Sequence, residues 1–199
     1  MINQQRKNRI TIISLFSLTV IPFCIAWYLS AHPDLIGSGK VSNGELIIPV
    51  VSTEKNEFIG FDAFSAANLT QLSGHWLIAN VIPSHECGQT CKEAIYKSKQ
   101  LHLMLSKDLT RVRRVVLLLQ PPEEAQTGQW WANDTRLLKI KTANSLTQKL
   151  QQIRKGKMAE GMLFLIDPLG NIMMQYQPGF DPYKVEKDLK KLLNISQIG

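Results

Sequence analysis

Cysteine and histidine are scarce in this sequence, and both are unevenly placed. Three cysteines (Cys24, Cys87 and Cys91) and four histidines (His32, His75, His85 and His102) serve 199 residues, and no histidine follows His102. Charge is absent over one long run: Ile10 to Leu29 holds no Asp, Glu, Lys, Arg or His. Internal repeats and low-complexity tracts are missing too. So is any basic stripe of the kind that tracks a phosphate backbone, which argues against a nucleic-acid partner. Of the net charge of +7, Arg6, Lys7 and Arg9 supply three, leaving a modest and scattered excess for the rest.

The uncharged run reads as a membrane segment. Twenty residues at ~1.5 Å each span ~30 Å, the thickness of a bilayer's hydrocarbon core. Pro22 is tolerated in such a helix, and Trp27 and Tyr28 fall where aromatic belts form. The run exceeds the ~7–15 apolar residues of a cleaved leader, and no small-residue cleavage site follows it. The basic flank predicts residues 1–9 in the cytoplasm, 10–29 as a single-pass anchor and everything after about residue 30 outside. Cys24 then reads as a thiol buried in lipid. Residues 30–44, rich in Gly, Ser, Pro and Asn, read as a linker.

Residues 45–199 read as one domain. "ELIIPVVS" reads as an edge strand because of Pro49. "HWLIANVI" (75–82), "VRRVVLLLQ" (112–120) and "MLFLID" (162–167) read as buried strands, and "RLLKI" as a short one. A helix is expected from about Cys91, with Ala94, Ile95, Leu101 and Leu105 near a 3.6-residue period. A second is expected from Asn144 or Ser145 through Gly156, and a last one from Asp181 or Pro182 carrying Val185, Leu189 and Leu193 on one side. "IMMQYQ" returns as a hairpin partner after the Pro168–Asn171 turn. The lysines and acids of "YKVEKDLKKLL" read as a solvated helix face. Early strands joined by helices pair in parallel and a closing hairpin is antiparallel, which predicts an α/β, thioredoxin-like fold.

"SHECGQTC" (84–91) follows the first buried strand and precedes the first long helix. A helix N-terminus favours thiolate over thiol, the form that attacks disulfides and binds metal. Cysteines four apart can close a disulfide or hold one soft ion such as Cu(I) between two sulfurs. An oxidising compartment lets the pair close, and a domain of this length does not need a staple to fold. A plain structural disulfide remains open beside the two chemical readings.

The strand "LSGHWLIANVI" leading to Cys87-x-x-x-Cys91, with "LTQKLQQIRKG" leading to "MLFLIDPLGNI", resembles the Sco/SenC family, membrane-anchored thioredoxin-fold proteins that deliver copper to cytochrome c oxidase. The resemblance runs from about Phe58 to Leu193. It implies that Cys87 and Cys91 bind Cu(I) or reduce the cysteines of an oxidase copper site. It also implies a place on the periplasmic face of a bacterial inner membrane, with a cytochrome oxidase subunit as partner. Three departures accompany it. Gly88 stands where the family usually has proline, and Gln120-Pro121 replaces an acidic "DP". The family's distal histidine, nine residues before the proline of "DP", falls on Ala159. Met158 and His85 are the substitute metal ligands, Met158 through a thioether and His85 from within the loop; packing for Met158 and plain exposure for His85 are the bland alternatives. Trp130 and Trp131 mark a protein contact or a membrane interface, or cover the edge of the core.

Overall fold

The computed structural model describes residues 2–32, 42–123, 127, 130–131, 134–154, 158–196 and 198. Most of the expected linker, part of the "PPEEAQTGQWWANDT" stretch and the expected end of the second helix at Gly156 lie outside these residues. The chain divides into two units, Met1–Val41 and Ser42–Gly199.

The first unit is one helix, α1 (Ile2–Ala31), with Pro22 inside it. Its stretch Arg6–Ala31 has a mean hydropathy of 2.2, long and apolar enough to cross a membrane. Side chains such as Phe16, Phe23 and Trp27 are exposed along it.

The second unit is a seven-stranded sheet with helices on both faces. Its strands are β1 (Glu45–Ser52), β2 (Phe58–Gly60), β3 (Trp76–Ile82), β4 (Val112–Leu118), β5 (Leu138–Thr142), β6 (Leu163–Ile166) and β7 (Asn171–Tyr176), in the order β1-β7-β6-β3-β4-β5-β2. The helices are α2 (Ala63–Ala67), α3 (Gln89–Met104), α4 (Asn144–Arg154) and α5 (Pro182–Ile195). β3 pairs in parallel with β4, and β4 with β5. β6 runs antiparallel to β3 and to β7. This is the thioredoxin-like arrangement expected.

Alternation along the strands sorts the core into layers. Leu77, Ala79 and Val81 share one cluster with Val115, Leu117, Phe164 and the α4 residues Leu146 and Leu150. Trp76 and Ile78 join a second with Leu101 of α3 and Val185, Leu189 and Leu193 of α5. β3 is buried at every position, as a central strand covered on both faces must be. β1 does sit at the edge, and its ladder to β7 shifts register between Leu46 and Val51, around Pro49.

One expectation needs correction. The α5 tail is not solvated throughout, because Asp188 is only 2 % exposed. It accepts the backbone N–H of Asn43 at 2.6 Å and of Gly44 at 2.9 Å, together with the Tyr176 hydroxyl at 3.1 Å. Helical periodicity placed Asp188 beside Leu189 without revealing that the chain entering β1 would bring it donors. The same contact pushes the Tyr176 hydroxyl pKa up, first through burial and then through the Asp188 charge.

Candidate functional site

β3 ends at Ile82, and the chain turns through Pro83–Gly88 into α3. Cys87 lies just before the helix and Cys91 in its first turn, with Cα atoms 5.3 Å apart and the sulfurs joined in a disulfide. Both pack with Ile82, Ile95, Val116 and Leu118. Cys87 is 6 % exposed and Cys91 2 %, and Cys87 is the one that precedes the helix.

Gly88 occupies the cap position of α3 without a side-chain cap, so the helix's first N–H groups look toward the loop. One of them has a partner from far along the chain: the Gly88 N–H donates to Glu160 Oε1. Glu160 arrives because β6 lies antiparallel beside β3, with Leu163 opposite Asn80. The segment entering β6 therefore passes the end of β3 where the cysteine loop begins. Gly161 makes the close approach with φ +83, and a Cβ there would meet Thr90 Cγ2 at 2.8 Å. The two sulfurs and a Glu160 carboxylate oxygen lie within 4.8 Å of one another.

His85 and Met158, the other expected ligands, stand outside this group, as do His75 and His102. His85 is exposed, with Nδ1 3.2 Å from the Pro121 carbonyl. Met158 is 7 % exposed and packs in the cluster with Leu146, Leu150 and Phe164, apart from the cluster that holds the cysteines. His75 Nδ1 lies 3.1 Å from the Ser73 carbonyl, and His102 Nε2 3.1 Å from that of Val112. Glu160 is the site residue the sequence reading missed. It is one position beyond Ala159, where a histidine was sought.

Trp130 and Trp131 form an edge-to-face pair with centroids 5.5 Å apart and pack against the cysteine cluster. Trp131 also meets Phe61 edge-on at 6.4 Å, and Lys139 lies over its ring. The pair thus covers the core edge beside the disulfide. Arg114 of β4 is 3 % exposed, pairs with Asp134 and donates to the Ile95 carbonyl at 3.0 Å, tying α3 to β4.

Such an arrangement can exchange a disulfide, hold an ion in its reduced state, or brace the loop. A family model for a transmembrane-like, thioredoxin-like C-terminal domain matches residues 76–196. No characterised protein matches the sequence. Among solved structures, the chain is similar to apo Sco1 from Thermus thermophilus, at 14 % identity and a TM-score of 0.51, covering 78 % of this chain and 99 % of that one. Yeast Sco1 gives 12 % identity and a TM-score of 0.50 over 64 % of this chain and 84 % of its own. A copper-bound form of yeast Sco1 scores 0.49 at 12 % identity, over 64 % and 83 %. At these identities the likeness is one of fold.

Proposed function

The chain belongs to the transmembrane-like, thioredoxin-like C-terminal domain family, and from that premise we propose a membrane-anchored thiol–disulfide exchange protein that serves assembly of a copper centre in a respiratory cytochrome oxidase. The placement is the periplasmic face of a bacterial inner membrane, with residues 1–9 cytoplasmic, 10–29 as anchor, 30–44 as linker and 45–199 as the working domain. The basic flank of α1 supports that orientation. The observation that carries the reading is the Cys87–Cys91 disulfide at the start of α3.

In the reduced protein the Cys87 thiolate attacks a sulfur of the target disulfide, forming a mixed disulfide and expelling one target thiolate. The Cys91 thiolate then attacks the Cys87 sulfur, releasing the second target thiol and closing Cys87–Cys91. Two electrons pass to the target, and an external dithiol resets the pair. Cu(I) carriage, the other chemistry the Sco resemblance implies, is less well served. Copper as cargo wants soft donors, and the third group at the sulfurs is a hard carboxylate.

The test is reduction of an oxidised Cys-x-x-x-Cys peptide by the full chain in detergent, on a Cys24→Ser background, beside a Cu(I) competition titration. Exchange lost in both Cys87→Ser and Cys91→Ser supports the reading. Tight one-to-one Cu(I) binding without exchange would replace it with carriage.

A second reading has its own observation. Both cysteines are nearly buried, as befits a structural bridge in a non-enzymatic assembly factor. Its potential would lie below about −300 mV.

A further inference from the structure

Two departures of this sequence from the Sco pattern explain each other. Glycine at position 88 keeps an N–H, which proline lacks, and that N–H holds Glu160. A Cβ at Gly88 would stand 3.0 Å from Glu160 Oε1, so the small residue also leaves room for the carboxylate. Glu160 is therefore fixed at the sulfurs by a hydrogen bond on one side and by the Gly161 turn on the other.

We propose that the reduced Cys87–Cys91 pair and Glu160 form a redox-gated site for a divalent cation of the Zn2+ kind, in place of a site tuned to monovalent Cu(I). The proposal rests on the reading of the pair as reversible. Three independent arguments support the choice of ion.

The first is charge. Two thiolates and a carboxylate gathered within 4.8 Å are neutralised better by a divalent ion than by a monovalent one, and the cysteines are too buried for water to screen them well. The second is donor softness. Zn2+ accepts sulfur and carboxylate oxygen alike, whereas Cu(I) gains little from a carboxylate. The third is geometry. Tetrahedral Zn–S bonds of about 2.3 Å place the sulfurs roughly 3.8 Å apart. A Cα separation of 5.3 Å allows that by side-chain rotation once the disulfide opens. No histidine joins the group among the described residues, since His85 turns to Pro121. The fourth position falls to water, as in open zinc sites.

Gating follows from the chemistry. The disulfide sulfurs carry no thiolate charge, so closing the bridge and holding the cation exclude each other. By mass action, free Zn2+ at about one hundred times its Kd favours the dithiol form about a hundredfold, which raises the reduction potential by roughly 60 mV.

The experiment uses the full chain in detergent on the Cys24→Ser background, reduced with excess dithiol, freed of it and checked by thiol count. Zn2+ affinity is read by competition with a chromogenic chelator, and Co2+ serves as a coloured stand-in through its thiolate charge-transfer band. Cu(I) affinity is measured in parallel. The expected result is one Zn2+ per chain, weakened at least about tenfold in Glu160→Gln, with Cu(I) affinity changed by less than about threefold. Gln keeps the acceptor oxygen for Gly88, so the loop is preserved. Glu160→His should move the preference toward Cu(I). Equal Zn2+ binding by wild type and Glu160→Gln, or none by the reduced wild type, would overturn the proposal. A pair that yields no thiols under excess dithiol would instead overturn the reversible-pair reading beneath it, and the thiol count separates the two failures.

Discussion

Glu160 accepts a hydrogen bond from the N–H of Gly88, 72 residues earlier in the chain, and thereby brings a carboxylate to the mouth of a cysteine loop. A thiolate formed there shares the space with like charge, which disfavours it. In the metal-free protein, Glu160→Gln should therefore stabilise the reduced pair and raise its potential. A tenfold change in the equilibrium corresponds to roughly 30 mV. Equilibration against a thiol redox buffer measures the shift, and an unchanged or lower potential would contradict this account of the carboxylate.

Gly161 sets that carboxylate in place. Its φ of +83 suits glycine, and a Cβ would press on Thr90 Cγ2 at 2.8 Å and on the Thr90 carbonyl at 3.1 Å. Gly161→Ala should cost more than about 1 kcal/mol of stability and slow exchange with target peptides. Urea unfolding and exchange rates of the two proteins check both effects. Gly74→Ala is the control: its φ is also positive, at +75, but nothing lies within 4 Å of a Cβ there. It should lower stability without altering exchange.

Asp188 pins the chain entering β1 onto α5. Asp188→Ala leaves the buried Tyr176 hydroxyl and the Asn43 and Gly44 N–H groups without their acceptor. The expected loss is about 3 kcal/mol, against about 1 kcal/mol for Tyr176→Phe, which leaves the Asn43 and Gly44 bonds to Asp188 in place. Denaturant midpoints of the two variants should rank in that order, and equal losses would count against the pin.

His102 gives the domain a pH dependence. Burial first, then the charges of Arg114 and Arg113, lower its pKa from the ordinary 6.5, despite hydrogen bonds to backbone carbonyls that act the other way. Below pH 6.5 the unfolded chain takes up a proton at this residue while the folded one stays neutral. The stabilisation is thus full above pH 6.5 and declines as pH falls toward the lower folded value. The stability difference between wild type and His102→Gln should shrink over that interval. A difference that stays constant from pH 8 to pH 5 would contradict the shift.

Much of the architecture was legible because its signals are local. β3, β4 and β6 are short apolar runs bounded by breakers, and α3 and α5 show their periods in Ala94, Leu101, Leu189 and Leu193. What escaped were features created by pairing between distant segments. β2 is three residues long, too short for alternation to show, and exists because Phe58–Gly60 pairs with β5. Glu160 reaches the cysteines only through the β3–β6 register, which no single stretch of sequence encodes. Asp188 read as one more charge on a helix for the same reason, since Asn43 and Gly44 reach it from the opposite end of the domain.

The reduction potential of Cys87–Cys91 in the metal-free full chain tests the central claim most directly. An exchange site should equilibrate with thiol buffers between about −270 and −120 mV, the span of thioredoxin-like catalysts. A value below about −300 mV would mark the pair as a structural bridge and contradict the proposed function.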